Sequence, residues 1–269
     1  MRSAAIKTKG SVPFMLVAVL AAAGAGLARG EDAAKADFLP EAGAATRWLV
    51  EFKRQATARG TPEESTKSQF KLDYFPDGPV GLLRLELPFP DADTDFEGSP
   101  FDPRLGDVLV RVGMRPIPVW GLPVATFGEI TFPTANPESL GSGKYQWSAG
   151  ARSVFPLDDG SGPHRRSFSF QVKQVVSFGG DAARKDINQT KFELEWRHDF
   201  AQGHFAKATA KPVIDWVQDA KTGAVLEIEG GWAINRQWTV ALMAGGLLWG
   251  EGTPSTYETR VELKVSRRF

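Results

Sequence analysis

The 269-residue chain has no cysteine and three histidines. Without cysteine there is neither a disulfide framework nor an acylation site of the lipoprotein type. His164 and His204 fall in expected turns and His198 on the apolar face of a strand. None has the spacing of a metal ligand set. Ser167 and Ser169 share a polar face, but no histidine stands beside them in the arrangement that nucleophilic catalysis requires. The sequence therefore predicts no catalytic residue, metal or cofactor. An excess of one charge is missing too: 32 basic residues stand against 32 acidic, a balance that argues against nucleic acid as a partner. Beyond residue 28 there is no long apolar run, so no helix of about 20 apolar residues is available to cross a bilayer.

The apolar run that does occur is FMLVAVLAAAGAGLA, residues 14–28, preceded by Arg2, Lys7 and Lys9. With the small residues Gly26 and Ala28 at its end, this is the layout of a secretory signal peptide, with cleavage expected between residues 28 and 34. Removing Arg2, Lys7 and Lys9 leaves 29 basic residues against 32 acidic. Residues 29–45 are expected to form a short periplasmic or plug segment ahead of a β-domain over 46–269.

What the chain has in quantity is alternation. From Asn188 to Phe200 the even positions hold Phe192, Leu194 and Trp196, and the odd positions Lys191, Glu193, Glu195, Arg197 and Asp199. The last thirteen residues, YETRVELKVSRRF, set Val261, Leu263 and Val265 against Arg260, Glu262 and Lys264. A period of two is that of a β-strand showing opposite chemistry on its two faces. Repetition predicts about twelve strands, near 46–57, 66–76, 79–90, 105–118, 122–133, 144–157, 165–179, 187–200, 204–218, 224–235, 237–250 and 257–269. Soluble strands average about 5 to 6 residues, whereas a tilted strand crossing a membrane needs about 9 to 11. A mean hydropathy of -0.23 with 42% hydrophobic residues suits a wall in which only every second residue meets lipid.

The expected fold class is all-β: a transmembrane antiparallel up-and-down barrel of about twelve strands following a signal peptide. Tight turns such as PDGP alternate with longer polar connections such as PTANPESLGSG, as periplasmic turns alternate with outer loops. DAKTG, short for an outer loop, and LDDGSGPHR, long for an inner turn, depart from the pattern. Trp120, Trp216, Trp238, Trp249, Tyr257 and Phe269 fall near expected strand ends, where aromatic rings favour the headgroup zone. The expected lumen lining is Glu51, Glu86, Glu129, Glu193, Glu195, Glu227, Glu229, Glu258 and Glu262 with Lys53, Arg84, Arg111, Arg152, Lys173, Lys191, Lys211, Arg260 and Lys264. Such a mixed lining predicts paired networks around a narrow wet lumen and no strong ion selectivity.

The stretch TFPTANPESLGSGKYQW, residues 131–147, contains GSGK but is no phosphate-binding loop, because Glu138 and Tyr145 occupy positions where that motif needs Gly and Ser or Thr. Pro133, Thr134, Leu140, Gly141, Gly143 and Lys144 form an outer-loop motif. Together with KSQFKLDYFPDGPVGLLRLELPFP, LGDVLVRV (105–112), FGGDAARKDINQ (178–189) and the charged strand ending in Phe269, it resembles the MetA-pathway of phenol degradation family. The similarity is greatest to its bacterial branch bearing the name neuromedin U, and covers roughly 65–269. EDAAKADFLPEAGAA, ahead of it, does not match the family's opening motif. The resemblance implies an outer-membrane channel or transporter passing small molecules, aromatic or hydrophobic compounds among them. Its expected partners are outer-membrane lipids, a small solute and the barrel-assembly machinery, which would read the C-terminal strand and Phe269. Two alternatives remain open: a barrel hydrolase acting on lipid or lipopolysaccharide, and a soluble periplasmic β-protein.

Overall fold

The computed structural model describes residues 47–58, 65–91, 102–158 and 164–269; the signal peptide and the 29–45 segment lie outside these residues. Thirteen strands follow one another: β1 (Trp48–Ala58), β2 (Ser65–Tyr74), β3 (Val80–Pro90), β4 (Val108–Met114), β5 (Ile117–Val119), β6 (Leu122–Phe132), β7 (Lys144–Pro156), β8 (Arg165–Gly180), β9 (Asn188–Asp199), β10 (Phe205–Asp215), β11 (Lys221–Ala233), β12 (Trp238–Trp249) and β13 (Thr259–Arg268). Successive strands pair antiparallel except β4 and β5, which do not pair with each other, and β1 closes on β13 from Leu49↔Arg268 to Ala58↔Thr259. Because β5 pairs with β6 alone, while β4 also pairs with β6, the closed ring contains twelve strands.

The strand expected over 105–118 is divided into β4 and β5. Gly113 pairs with Phe127, but the next pair is Ile117 with Val124, so one extra residue is accommodated between them. Pro116 lies in that gap and has no N–H for the ladder. Arg115 beside it turns away: its guanidinium donates to the carbonyls of Gly78 (2.5 Å) and Pro76 (2.8 Å), fastening the neighbouring β2–β3 turn.

Antiparallel succession puts both termini of the barrel at one rim. The connections at this terminal rim are 75–79, 120–121, 157–164, 200–204 and 234–237, and those at the far rim are 59–64, 91–107, 133–143, 181–187, 216–220 and 250–258. Far-rim connections are mostly the longer ones, with the short 216–220 and the long 157–164 as the two departures that the sequence shows.

The side-chain distribution inverts that of a soluble protein. Glu51, Asp73, Glu129, Glu195, Glu227, Glu229 and Glu262 are buried, while Val110, Val112, Ile130, Trp147, Ile228, Leu242, Val261 and Leu263 are exposed on the outside. A continuous apolar exterior of this kind belongs against lipid, not water. Aromatics edge it at both rims: Trp48, Trp120, Phe200, Trp238 and Phe269 at the terminal rim, Phe132, Tyr145, Phe178, Trp216 and Trp249 at the far rim, all exposed. No helix among the described residues is long and apolar enough to cross a membrane; the strands form the wall.

Candidate functional site

Alternation delivers the charged residues to the inner face, and barrel closure brings them into contact. Lys71 Nζ lies 2.8 Å from Glu51, which is 3.4 Å from Lys53. Lys53 is 3.7 Å from Glu262, and Glu262 is 3.8 Å from Lys264. Lys264 then meets Glu229 at 3.0 Å, Glu229 meets Lys207 at 3.1 Å, Lys207 meets Glu195 at 3.5 Å and Glu195 meets Arg152 at 3.2 Å. Cation and anion alternate without a break from β2 through β1 and β13 to β7. Where a strand contributes no charge, a long side chain spans it. Lys264 on β13 reaches over β12, whose inner face carries Ala241 and Met243, to Glu229 on β11.

Smaller groups cover the rest of the wall. Arg111 on β4 and Lys173 on β8 (2.9 Å) both bind Glu129 on β6. Arg84 holds buried Asp73 at 2.6 Å through two parallel bonds and lies 3.6 Å from Glu86, which also accepts from Gln69. Lys211 binds Glu227, and Arg260 stands 3.9 Å from the same carboxylate. Desolvated charges are costly unless paired, and nearly every charge of the inner face is paired this way. Glu193, Lys67 and Lys191 have no ion-pair partner among the described residues, although Lys191 donates to Ser255 Oγ at 2.7 Å.

Three aromatic rings also face inward, and each lies over a glycine on a neighbouring strand. Phe127 is paired across strands with Gly150 and Phe205 with Gly231, while Tyr257 lies on Gly245. A Cβ on Gly245 would come within 2.7 Å of Tyr257 Oη, and one on Gly150 within 2.6 Å of the Val172 carbonyl as well as into the Phe127 ring. Each ring in turn carries a guanidinium: Arg111 at 4.6 Å from Phe127, Arg197 at 4.5 Å from Phe205 and Arg260 at 3.8 Å from Tyr257. Glycine leaves room for the ring to lie flat, and the ring's negative face attracts the cation. The three units hold arginines against the wall.

At the far rim, the segments that carry the family-like motifs meet. Asp107, from LGDVLVRV, accepts hydrogen bonds from the N–H (2.6 Å) and hydroxyl (2.7 Å) of Ser142 and from Ala135 N–H (3.3 Å). Thr134 Oγ1 donates to the Gly106 carbonyl and accepts from Val108 N–H. Gly141 is packed so closely that a Cβ would come within 2.8 Å of Asp107 Cγ. From FGGDAARKDINQ, Arg184 donates to the Glu138 carbonyl (3.1 Å) and Asp186 binds buried Lys144 (2.9 Å). Gly143 has φ +67°, and its carbonyl accepts from Asp181 N–H. Leu140 N–H bonds the Pro137 carbonyl, and Pro133 leads out of β6. The hydrogen bond and contact from Lys144 hold Asp186 below the ordinary aspartate value of 3.8.

The connection 250–258 folds inward, and here the structure corrects two expectations. Tyr257, expected at a membrane interface, is 4% exposed and donates to Glu227 Oε1 at 2.5 Å. Glu258, expected in the lumen, is exposed. The reason is that pairing of β13 begins only at Thr259, opposite Gly246, so the alternation of the strand does not extend back to 257 and 258. Ser255, with φ 72°, meets Lys191 on β9, so this connection leans across the far mouth. The connection 250–258 thus crosses the far mouth, while 133–143 is fastened along the rim beside it.

The remaining expected lumen residues, Glu51, Lys53, Arg84, Glu86, Arg111, Glu129, Arg152, Lys173, Lys191, Glu193, Glu195, Lys211, Glu227, Glu229, Arg260, Glu262 and Lys264, have the inner-face parity of their strands. Sequence reading missed Lys207, which links two parts of the belt. Its parity with Thr209 and Lys211 in FAKATAKP was the available signal. It also missed Asp107, whose role depends on a loop far along the chain. Ser169 is bonded by Arg152 (3.0 Å) on the inner face, whereas His198 is on the outer face with His164, ring centroids 5.6 Å apart. The wall separates these serines and histidines. No group of three metal-ligating residues occurs among the described residues.

No family model and no curated protein matches the sequence. Solved structures do resemble the fold. An outer membrane channel from Pseudomonas putida F1, named COG4313, aligns with TM-score 0.61 at 13% identity over 91% of this chain and 100% of that one. This is the fold of an outer-membrane β-barrel. The NanC porin aligns with TM-score 0.55 at 8% identity over 82% of this chain and 98% of its own. The KdgM porin, solved with disordered oligogalacturonate, aligns with TM-score 0.54 at 6% identity over 82% and 99%. Identities this low carry the barrel architecture and leave the solute to the residues.

Proposed function

We propose that the chain is an outer-membrane channel for small molecules. The observation that carries this reading is a closed ring of twelve strands with an apolar exterior between two aromatic rims and a wall of paired charges inside. A charged lumen holds water, and water-filled passage needs no chemistry from the protein. Cations and anions neutralise each other along the belt, so discrimination falls to lumen width and the two connections at the far mouth. That aromatic or hydrophobic compounds are among the solutes follows from the motif resemblance, and the far rim faces outside in this orientation. Export by the signal peptide, with cleavage between 28 and 34, and assembly through Phe269 belong to the same proposal.

The test is reconstitution in planar bilayers with a panel of aromatic, aliphatic and ionic solutes. Discrete conductance steps, with a reversal potential close to zero in a KCl gradient, are expected. Failure to form steps from folded, heat-modifiable protein would sink the channel reading. Mass spectrometry of the envelope protein tests the leader; a mature chain retaining residues 1–28 refutes it.

A further inference from the structure

By strand parity, the outer face of the described barrel carries three arginines: Arg54 on β1, Arg166 on β8 and Arg267 on β13. Arg166 and Arg267 are near strand ends, and Arg54 is near the middle of β1. Arg54 is held by Asp91 at 2.5 Å, and Arg166 Nε lies 3.6 Å from Asp158. Arg267 differs. Its side chain has no ion pair or hydrogen bond among the described residues, and its Nε is buried without a partner. Instead its guanidinium is 4.3 Å from the Phe269 ring and 5.1 Å from the Trp238 ring, two exposed aromatics of the terminal rim.

Stacking satisfies the faces of a guanidinium but not its edge, where five N–H donors lie in one plane. The flanking strands offer no acceptor, since the register partners of Arg267 are Val50 and Trp238. Asn235 Oδ1, in the adjacent turn, already accepts from the N–H groups of Gln237 and Trp238. A positive group fixed between aromatic rings, at the boundary of an apolar wall, lacks only an anion. Two residues further into that wall is Val265, followed by exposed Leu263 and Val261. A ligand that suits both surfaces has a phosphate next to acyl chains.

We propose that Arg267, with Trp238 and Phe269, forms a binding site for the phosphate group of a phospholipid at the terminal rim. The guanidinium edge donates to the phosphate oxygens in bidentate fashion, the rings flank the headgroup, and the acyl chains lie along outward-facing Val265, Leu263 and Val261 of β13. The site rests on the membrane reading but not on conduction, so a channel that fails to conduct leaves it intact. Solubility without detergent would overturn both.

Native mass spectrometry of protein in a maltoside detergent, offered phosphatidylglycerol or a phosphate-free diacyl galactolipid, decides it. Wild type should retain one phosphatidylglycerol under activation that strips the galactolipid. Arg267→Gln should lower that retained fraction about ten-fold, the scale of a lost charge-assisted hydrogen bond. Arg268→Gln, one residue along and on the other face, should match wild type. Heat-modifiable gel mobility confirms folding. If Arg267→Gln does not fold, Arg267→Lys keeps the charge but not the planar fork, and should bind phosphatidylglycerol more weakly than wild type. Wild-type retention by the informative variant, equal retention of the galactolipid, or displacement of the lipid by inorganic phosphate would each overturn the assignment.

Discussion

Tyr257 donates a hydrogen bond of 2.5 Å to Glu227, joining the connection before β13 to the middle of β11 inside the lumen. Both partners are buried, and the tyrosine lies over Gly245 beneath the Arg260 guanidinium. One bond thus fastens the 250–258 connection into the mouth. Tyr257→Phe should remove about 1 kcal/mol, because Glu227 keeps Lys211. The barrel should assemble, while amide exchange in 250–258 accelerates and single-channel conductance rises. Unchanged exchange in that segment would mean the bond does not hold it.

The two faces of β13 give the sharpest contrast. Val261 is 52% exposed on the outside, and Glu262 is 7% exposed inside. Val261→Arg should impair insertion at a cost of about 2 to 4 kcal/mol if placed at mid-membrane. Glu262→Gln should assemble normally, since its contacts with Lys53 and Lys264 are long, 3.7 and 3.8 Å. Heat-modifiable mobility reads both, and the reverse outcome would show that the faces have been assigned backwards.

Gly150 leaves the space in which Phe127 lies. Gly150→Ala should cost about 1 to 3 kcal/mol by overpacking, since its Cβ meets the Val172 carbonyl as well as the ring. Gly128→Ala, whose Cβ would approach nothing nearer than 3.9 Å, should be close to neutral. Thermal loss of the folded gel species in the two variants provides the comparison, and equal stability would refute the packing argument.

Asp107 holds the 133–143 connection through three hydrogen bonds. Asp107→Ala should release that connection and raise flux of small solutes in liposome swelling without loss of folded barrel. Unaltered flux for every solute would show that the connection does not limit passage.

The Asp186–Lys144 contact should respond to acid. Lys144 depresses the Asp186 pKa below 3.8, so the contact is fully present above that value and is lost as pH falls through the depressed one. Hydrogen exchange at 181–187 should be unchanged from pH 7 to 5 and become faster only as pH falls below the ordinary aspartate value of 3.8, after correction for intrinsic rates. Asp186→Asn should abolish the transition. A variant that retains it would assign the change to another carboxylate.

Alternation in stretches such as NQTKFELEWRHDF and TRVELKVS determined the architecture, because a strand's two-residue period is local and an apolar face opposite a charged face leaves few ways to fold. The same periodicity placed Glu195, Glu229 and Lys264 on one surface. Tertiary structure alone decided that Lys264 would reach over β12 to Glu229, because that contact depends on how closure staggers strands and on the small residues of the strand between. It also decided that Tyr257 would turn inward, since the parity of a strand stops where its pairing stops, at Thr259. The convergence of Asp107, Ser142 and Arg184 lay beyond local pattern for the same reason: period describes neighbours along a strand, whereas loops meet according to where the closed wall brings their ends.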